Sequence, residues 1–151
     1  MAVSLKRFIE SRKIDAEFVE LLPEQAKTSE SAAAAVNTSV NQIAKSIVLR
    51  GSKTYVVVLA GDKRIDLKKF SRVVGEPVRL ASPDEVLEST GFNVGCVPPF
   101  GHLRKLKTFI DVSLLRNDVV YASGGTDSSL LKISVTELLR ILGSDVVDVT
   151  K

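Results

Sequence analysis

The sequence predicts an α+β fold, a curled mixed β-sheet or barrel-like core with peripheral helices. Two observations carry this. Short β-capable runs outnumber helical ones, and they mostly adjoin one another instead of alternating with helices as in a doubly wound parallel sheet. A third sets the packing: aromatics are 5% with no Trp, so a core within 44% hydrophobic residues must rest on Val, Leu, Ile and Ala. A chain of 151 residues is the size of one domain, 1–151, and no internal repeat, low-complexity tract or linker divides it.

The elements follow in order. Ser4 can cap a first helix to about Arg12, with Leu5, Phe8 and Ile9 on one face. Ala16–Leu22 reads as a strand stopped by Pro23. Thr28-Ser-Glu-Ser31 caps an Ala-rich helix over 32–36, Asn37-Thr-Ser39 breaks it, and Val40–Ala44 makes a short turn. Ser46–Arg50 and Tyr55–Ala60 flank the turn Gly51-Ser-Lys-Thr54 as a hairpin. Ile65–Val74 fits a helix, Pro77–Leu80 a short strand, and Ser82-Pro-Asp-Glu85 opens a helix closed by Gly91. Thr108–Leu115, turning helical near Asp111, and Val119–Ser123 are strand material, followed by a Gly124-Gly125 turn and a strand over Ser129–Ile133. Ser134-Val-Thr-Glu137 forms a second capping box before a helix to Leu142, with Gly143 as its stop and Asp145–Thr150 as a closing strand.

Composition excludes several function classes. One cysteine, Cys96, forbids an intrachain disulfide, and one histidine, His102, forbids an HExxH zinc site. No ligand spacing supports a metal, and no phosphate-binding or hydrolase glycine fingerprint is present. No apolar run reaches the 18 or so residues that span a bilayer, and the start turns charged after Leu5, so a cytoplasmic protein with no membrane partner is expected. The net charge of +3 and pI near 9.1 permit an anionic partner.

Four places could carry chemistry. Gly95-Cys-Val-Pro-Pro-Phe-Gly-His102 has two Gly and two Pro in eight residues, which fixes a loop backbone whose N–H groups could receive an oxyanion; the alternative is a tight turn at a sheet corner. Lys45, in an apolar setting without an acidic neighbour, offers a fixed positive charge for a phosphate or a developing oxyanion; a lone lysine is otherwise a solvated surface group. Cys96 and His102 could pair as nucleophile and base, or be a buried thiol and a solvated histidine. Gly124-Gly-Thr-Asp-Ser128 could be a second backbone cradle or, the favoured reading, a hairpin turn whose glycines shape a pocket wall. Arg104, Lys105 and Lys107 form a cationic run where a phosphate backbone would need neutralising, unless it is simply a solvated face.

Taken in order, Gln42-Ile-Ala-Lys-Ser-Ile-Val48, Tyr55–Ala60, Ile65-Asp-Leu-Lys-Lys69, Gly95-Cys-Val-Pro-Pro-Phe-Gly101 and Gly124-Gly125 resemble the YbaK/prolyl-tRNA synthetase-associated domain family. The likeness runs from about residue 15 to the end. It implies an α+β editing enzyme that hydrolyses the ester of a mischarged aminoacyl-tRNA, such as Ala- or Cys-tRNA(Pro), with Ser as a further small residue. It places the family lysine on Lys45 and the Gly-x-x-x-Pro loop on Gly95 and Pro99, with no metal or organic cofactor. Phe100, Gly101, His102, Gly124 and Gly125 would then contact substrate, and Arg104, Lys105 and Lys107 the acceptor end of the tRNA. A prolyl-tRNA synthetase is the second partner it suggests, and a non-catalytic tRNA- or synthetase-binding module is the alternative. The chain departs from many members in carrying Pro98 before the loop proline and Cys96 inside the loop, which changes the pocket's shape and leaves the amino-acid preference open.

Overall fold

The computed structural model describes residues 2–143 and 145–151, with backbone only for residues 2–4. Eight strands form one mixed sheet: β1 (Ala16–Glu20), β2 (Ile43–Arg50), β3 (Thr54–Ala60), β4 (Arg79–Leu80), β5 (Lys107–Asp111), β6 (Val119–Ser123), β7 (Ser129–Ser134) and β8 (Val146–Val147). Their order is β1-β7-β6-β2-β3-β5-β8, with β4 beside β2, so the sheet is open and curled, not a closed barrel. The hairpins pair antiparallel, while β2–β6, β3–β5 and β5–β8 are parallel. The helices are α1 (Ala2–Ser11), α2 (Ser29–Ala35), α3 (Leu67–Val74), α4 (Pro83–Thr90) and α5 (Val135–Leu142).

Period-two alternation along β2 and β3 sends side chains to two different cores. Ala44, Val48, Val56, Val58 and Ala60 join Leu5 and Ile9 of α1, Val86 of α4 and Leu138 of α5. Leu49, Tyr55, Val57 and Leu59 face the other way onto Phe70 of α3 and Phe109. Both faces of β3 are covered, which is why Tyr55–Ala60 is continuously apolar and buried.

Local signals explain most helix ends. Thr28 and Ser31 form a reciprocal capping box at α2, and Ser82 and Glu85 form another at α4. Gly75 and Gly91 end α3 and α4 in the left-handed region, with φ of 77° and 82°.

Several boundaries differ from expectation. The first helix begins before Ser4, at Ala2, and the Ser4 side chain lies outside the described residues. β1 ends at Glu20; the Leu21 N–H still donates to the Ser128 carbonyl in register with β7, and the Leu22 N–H then turns away to Gln25 Oε1. α2 starts three residues early, at its Thr28 cap. β2 starts at Ile43, not Ser46, because Ile43 and Ala44 pair with Tyr121 and Ala122 of β6, a long-range contact no local pattern announces. α3 starts at Leu67, since the Asp66 carboxylate accepts from the Lys68 and Lys69 N–H groups and so caps it, while Ile65 bridges to Thr150. Only half of the box at α5 forms. Ser134 accepts from the Glu137 N–H, but the Glu137 carboxylate instead receives the Asp15 N–H and Arg140. The closing strand shortens to Val146–Val147 plus the Thr150 bridge.

Candidate active site

The site begins with an irregularity in the sheet. On one edge, β2 pairs with β3 from Ala44 to Arg50. On the other, β6 covers only Ile43 and Ala44, and β4 covers Leu49 and Arg50, with the Ala81 N–H donating to the Val48 carbonyl. Lys45, Ser46 and Ile47 therefore have no strand beside them on that edge. A cavity of about 580 Å³ opens there, walled by Lys45–Val48, Lys27–Ser29, the tip Val94–Val97 of the Gly/Pro loop, and Ser123, Thr126, Asp127 and Ser129 of the β6–β7 turn.

Lys45 thus lies inside a strand rather than at its mouth, and it is half-buried. Its Nζ donates to the Gly61 carbonyl at 3.3 Å. Burial pushes its pKa below the ordinary lysine value; Glu30 opposes that shift, Arg64 adds to it and Asp62 opposes it. Gly61 is needed for space. A Cβ there would stand 2.8 Å from the Val40 carbonyl and 2.9 Å from Ser29 Cβ, forcing α2 away from the lysine. The buried Ser46 Oγ has no protein hydrogen-bond partner.

Gly95 lines the same cavity as Lys45, although the two are far apart in sequence. Its φ of +84° is a left-handed conformation that only glycine adopts without strain. The rest of the predicted loop points elsewhere. Pro99, Phe100, Gly101 and His102 do not line the cavity. Phe100 stacks on Phe8 of α1, with centroids 5.6 Å apart, and Gly101 packs under Leu5. His102 Nε2 donates to the Pro98 carbonyl at 2.7 Å, and burial holds its pKa below the ordinary value.

Cys96 does line the cavity, but burial, followed by the charge of Asp127, pushes its thiol up, away from the reactive thiolate. His102 does not line the cavity that Cys96 lines, and no hydrogen bond joins the two side chains among the described residues, so the structure does not bring them together as nucleophile and base.

Gly124 and Gly125 stand behind the wall, not in it. A Cβ on Gly124 would collide with Ser129, and one on Gly125 would come within 2.9 Å of the Phe92 ring. Arg104, Lys105 and Lys107 lie beyond the loop and away from the cavity. Arg104 sits 3.7 Å from Glu88, and Lys107 sits 2.7 Å from Asp145. Lys105 is exposed, with no ion pair among the described residues.

Sequence reasoning missed Lys27, Ser46 and Asp127. Lys27 precedes a helix cap and Asp127 follows a glycine turn, so each looks like ordinary boundary chemistry until the chain is folded. Among the described residues, no His, Cys, Asp and Glu side chains group to hold a metal ion, and no helix is long and apolar enough to cross a membrane.

The curled mixed sheet is shared with known proteins. Residues 23–141 match the family model of the aminoacyl-tRNA editing domain. The chain is 39% identical over 127 residues to the uncharacterized protein YwhH of Bacillus subtilis, covering 82% of this chain and 81% of that one. It is 33% identical to the multifunctional Ser/Thr-tRNA deacylase ProXp-y of Escherichia coli K12, covering 74% and 71%. The crystal structure of a proposed trans-editing enzyme for prolyl tRNA synthetase superposes with a TM-score of 0.94 at 39% identity, over 99% of this chain and 96% of that one. This chain belongs to the aminoacyl-tRNA editing domain family, whose members are hydrolases of the aminoacyl-tRNA ester bond.

Proposed function

We propose that this chain is a trans-acting editing deacylase, one domain over residues 1–151, that hydrolyses the ester of a small wrong amino acid on tRNA(Pro): alanine, cysteine or serine. The observation that carries the reading is the meeting of Lys45 and Gly95 in one cavity. An aminoacyl ester is already activated, so its hydrolysis needs positioning and oxyanion stabilisation more than a strong nucleophile. Water attacks the ester carbonyl carbon, and the backbone N–H groups of Gly95 and Val97 at the loop tip hold the oxygen that becomes negative. Among the described residues neither is engaged by another backbone carbonyl, as the Cys96 N–H is by Asn93. The bond to the ribose oxygen breaks, that oxygen takes a proton, and free amino acid and tRNA leave. Lys45, in the same cavity, supplies the fixed positive charge.

The other predicted residues support this centre from a distance. Pro99, Phe100, Gly101 and His102 anchor the loop, while Gly124 and Gly125 shape the turn that completes the wall. Arg104, Lys105 and Lys107 meet acceptor-stem phosphates, with Lys105 least engaged by other side chains. Editing is needed for such residues because a synthetase binding site cannot strongly exclude residues smaller than its own. The protein acts with a prolyl-tRNA synthetase in the cytoplasm, where charged tRNA is used.

Single-turnover hydrolysis of Ala-, Cys-, Ser- and Pro-tRNA(Pro), with spontaneous ester loss subtracted, tests the proposal. Wild type accelerates loss of a mischarged species over Pro-tRNA(Pro), and Lys45→Ala reduces that rate by about 10²–10³-fold, as loss of one oxyanion-hole group does elsewhere. Absence of acceleration on every ester would leave the binding-module reading in its place.

A further inference from the structure

An aminoacyl ester carries an α-ammonium group beside its carbonyl. Bringing that cation into a cavity walled by lysines is unfavourable unless a carboxylate faces it. The lining residues include two lysines, Lys27 and Lys45, and one carboxylate, Asp127. The opposite charges are kept apart. Lys45 sits among Glu30, Arg64 and Asp62, beside α2. Asp127 lies near the Gly95 loop, where its charge reaches Cys96.

Asp127 is also held ready. It makes no ion pair among the described residues, whereas Asp62 near Lys45 is taken by Arg116 at 2.9 Å. The backbone on both sides of it is pinned. Thr126 Oγ1 and Ser129 Oγ are 2.7 Å apart, the Ser128 N–H donates to Thr126 Oγ1, and the Leu21 N–H donates to the Ser128 carbonyl. A carboxylate on a fixed turn binds a cation without first having to order its own backbone.

We infer that Asp127 receives the α-ammonium group of the substrate and thereby selects esters of free amino acids over hydroxy-acid or N-blocked esters. This rests on the deacylase reading of the same cavity. It gives the cavity a direction, with the ammonium at Asp127 and the carbonyl at the Gly95 loop. Peptidyl esters, whose amine is locked in an amide, lack the charge and are spared.

Deamination by nitrous acid converts alanyl-tRNA(Pro) to lactyl-tRNA(Pro) and seryl-tRNA(Pro) to the glyceryl ester, exchanging ammonium for hydroxyl at nearly constant size. Single-turnover rates, each divided by that ester's spontaneous rate, compare the pairs. Wild type prefers the amino ester by about tenfold or more, the effect of one charge-assisted contact at a partly solvated site. Asp127→Asn brings the preference to within about threefold of unity, and Asp127→Glu retains it. A wild-type preference near unity, or one that survives in Asp127→Asn while the amino esters are still hydrolysed, overturns the inference alone. No acceleration of any ester by wild type overturns the deacylase reading and this inference with it.

Discussion

The two halves of the Gly95–His102 segment are adjacent in sequence and opposite in situation. Val94 is 57% exposed and, with Gly95, Cys96 and Val97, forms a cavity wall, whereas Phe100 is 4% exposed and lies in the main core against α1. The difference is physical: the tip, Val94 to Cys96, faces the cavity and solvent, while Val97, 3% exposed, and Phe100 are packed in the main core and fix it. The left-handed glycines divide the same way. Nothing lies within 4 Å of where a Gly95 Cβ would sit, while a Gly101 Cβ would meet Leu5 Cδ1 at 2.9 Å. One glycine serves conformation alone, and the other serves conformation and packing.

Substitutions in the two halves should therefore separate stability from turnover. The largest effect is expected of Phe100→Ala, which removes a buried ring and should cost about 3–5 kcal/mol in denaturant unfolding. If stability is unchanged, the anchoring half is misassigned. Next, Gly101→Ala should destabilise more than Gly95→Ala, which should cost only about 1–2 kcal/mol from backbone strain yet slow ester hydrolysis at least tenfold. Equal losses of stability and activity in both would erase the distinction. Cys96→Ser should leave single-turnover hydrolysis within about threefold of wild type, because a thiol whose pKa is raised is a poor nucleophile at neutral pH; loss of activity would restore a thiol mechanism.

The smallest effect lies outside both halves. Glu85 is held at about 2 first by Arg79, and Glu137 at about 2 first by Arg140, both below the ordinary 4.5. Depressed carboxylate values mean stabilisation that is complete above 4.5 and lost as pH falls toward 2. The double variant Glu85→Gln/Glu137→Gln should therefore lose less Tm than wild type between those limits. A steeper loss in the variant would contradict this.

Much of the fold was legible because local chemistry agreed with it. Ser82-Pro-Asp-Glu85 marked a helix start, Gly91 its end, and the runs around Gly51 a hairpin. The starts of α2 and α3 were set by local caps, Thr28 and Asp66, whereas β2 gained Ile43 and Ala44 from β6, a distant partner that no local pattern reveals. The same limit applied to the site. Lys45 stood out as a cation in an apolar run and Gly95 as part of a rigid loop, and both line the cavity. Phe100 through His102 belonged to the same conspicuous segment, but sequence does not show which way a loop turns its residues. Asp127 resembled ordinary turn chemistry because its significance depends on the charges across the cavity.

The break in strand pairing along β2 has an evolutionary consequence. The cavity floor is a gap between β6 and the two-residue β4, while β2 stays zipped to β3 from Ala44 to Arg50. On the proposed function, the width available to an acyl group is thus set by neighbours of the lysine-bearing strand and not by that strand alone. Changes around Leu80 and Ala81 can resize the sieve without moving Lys45. One scaffold can in this way acquire a new amino-acid preference by small steps at its margin, each leaving the hydrolytic centre in working order.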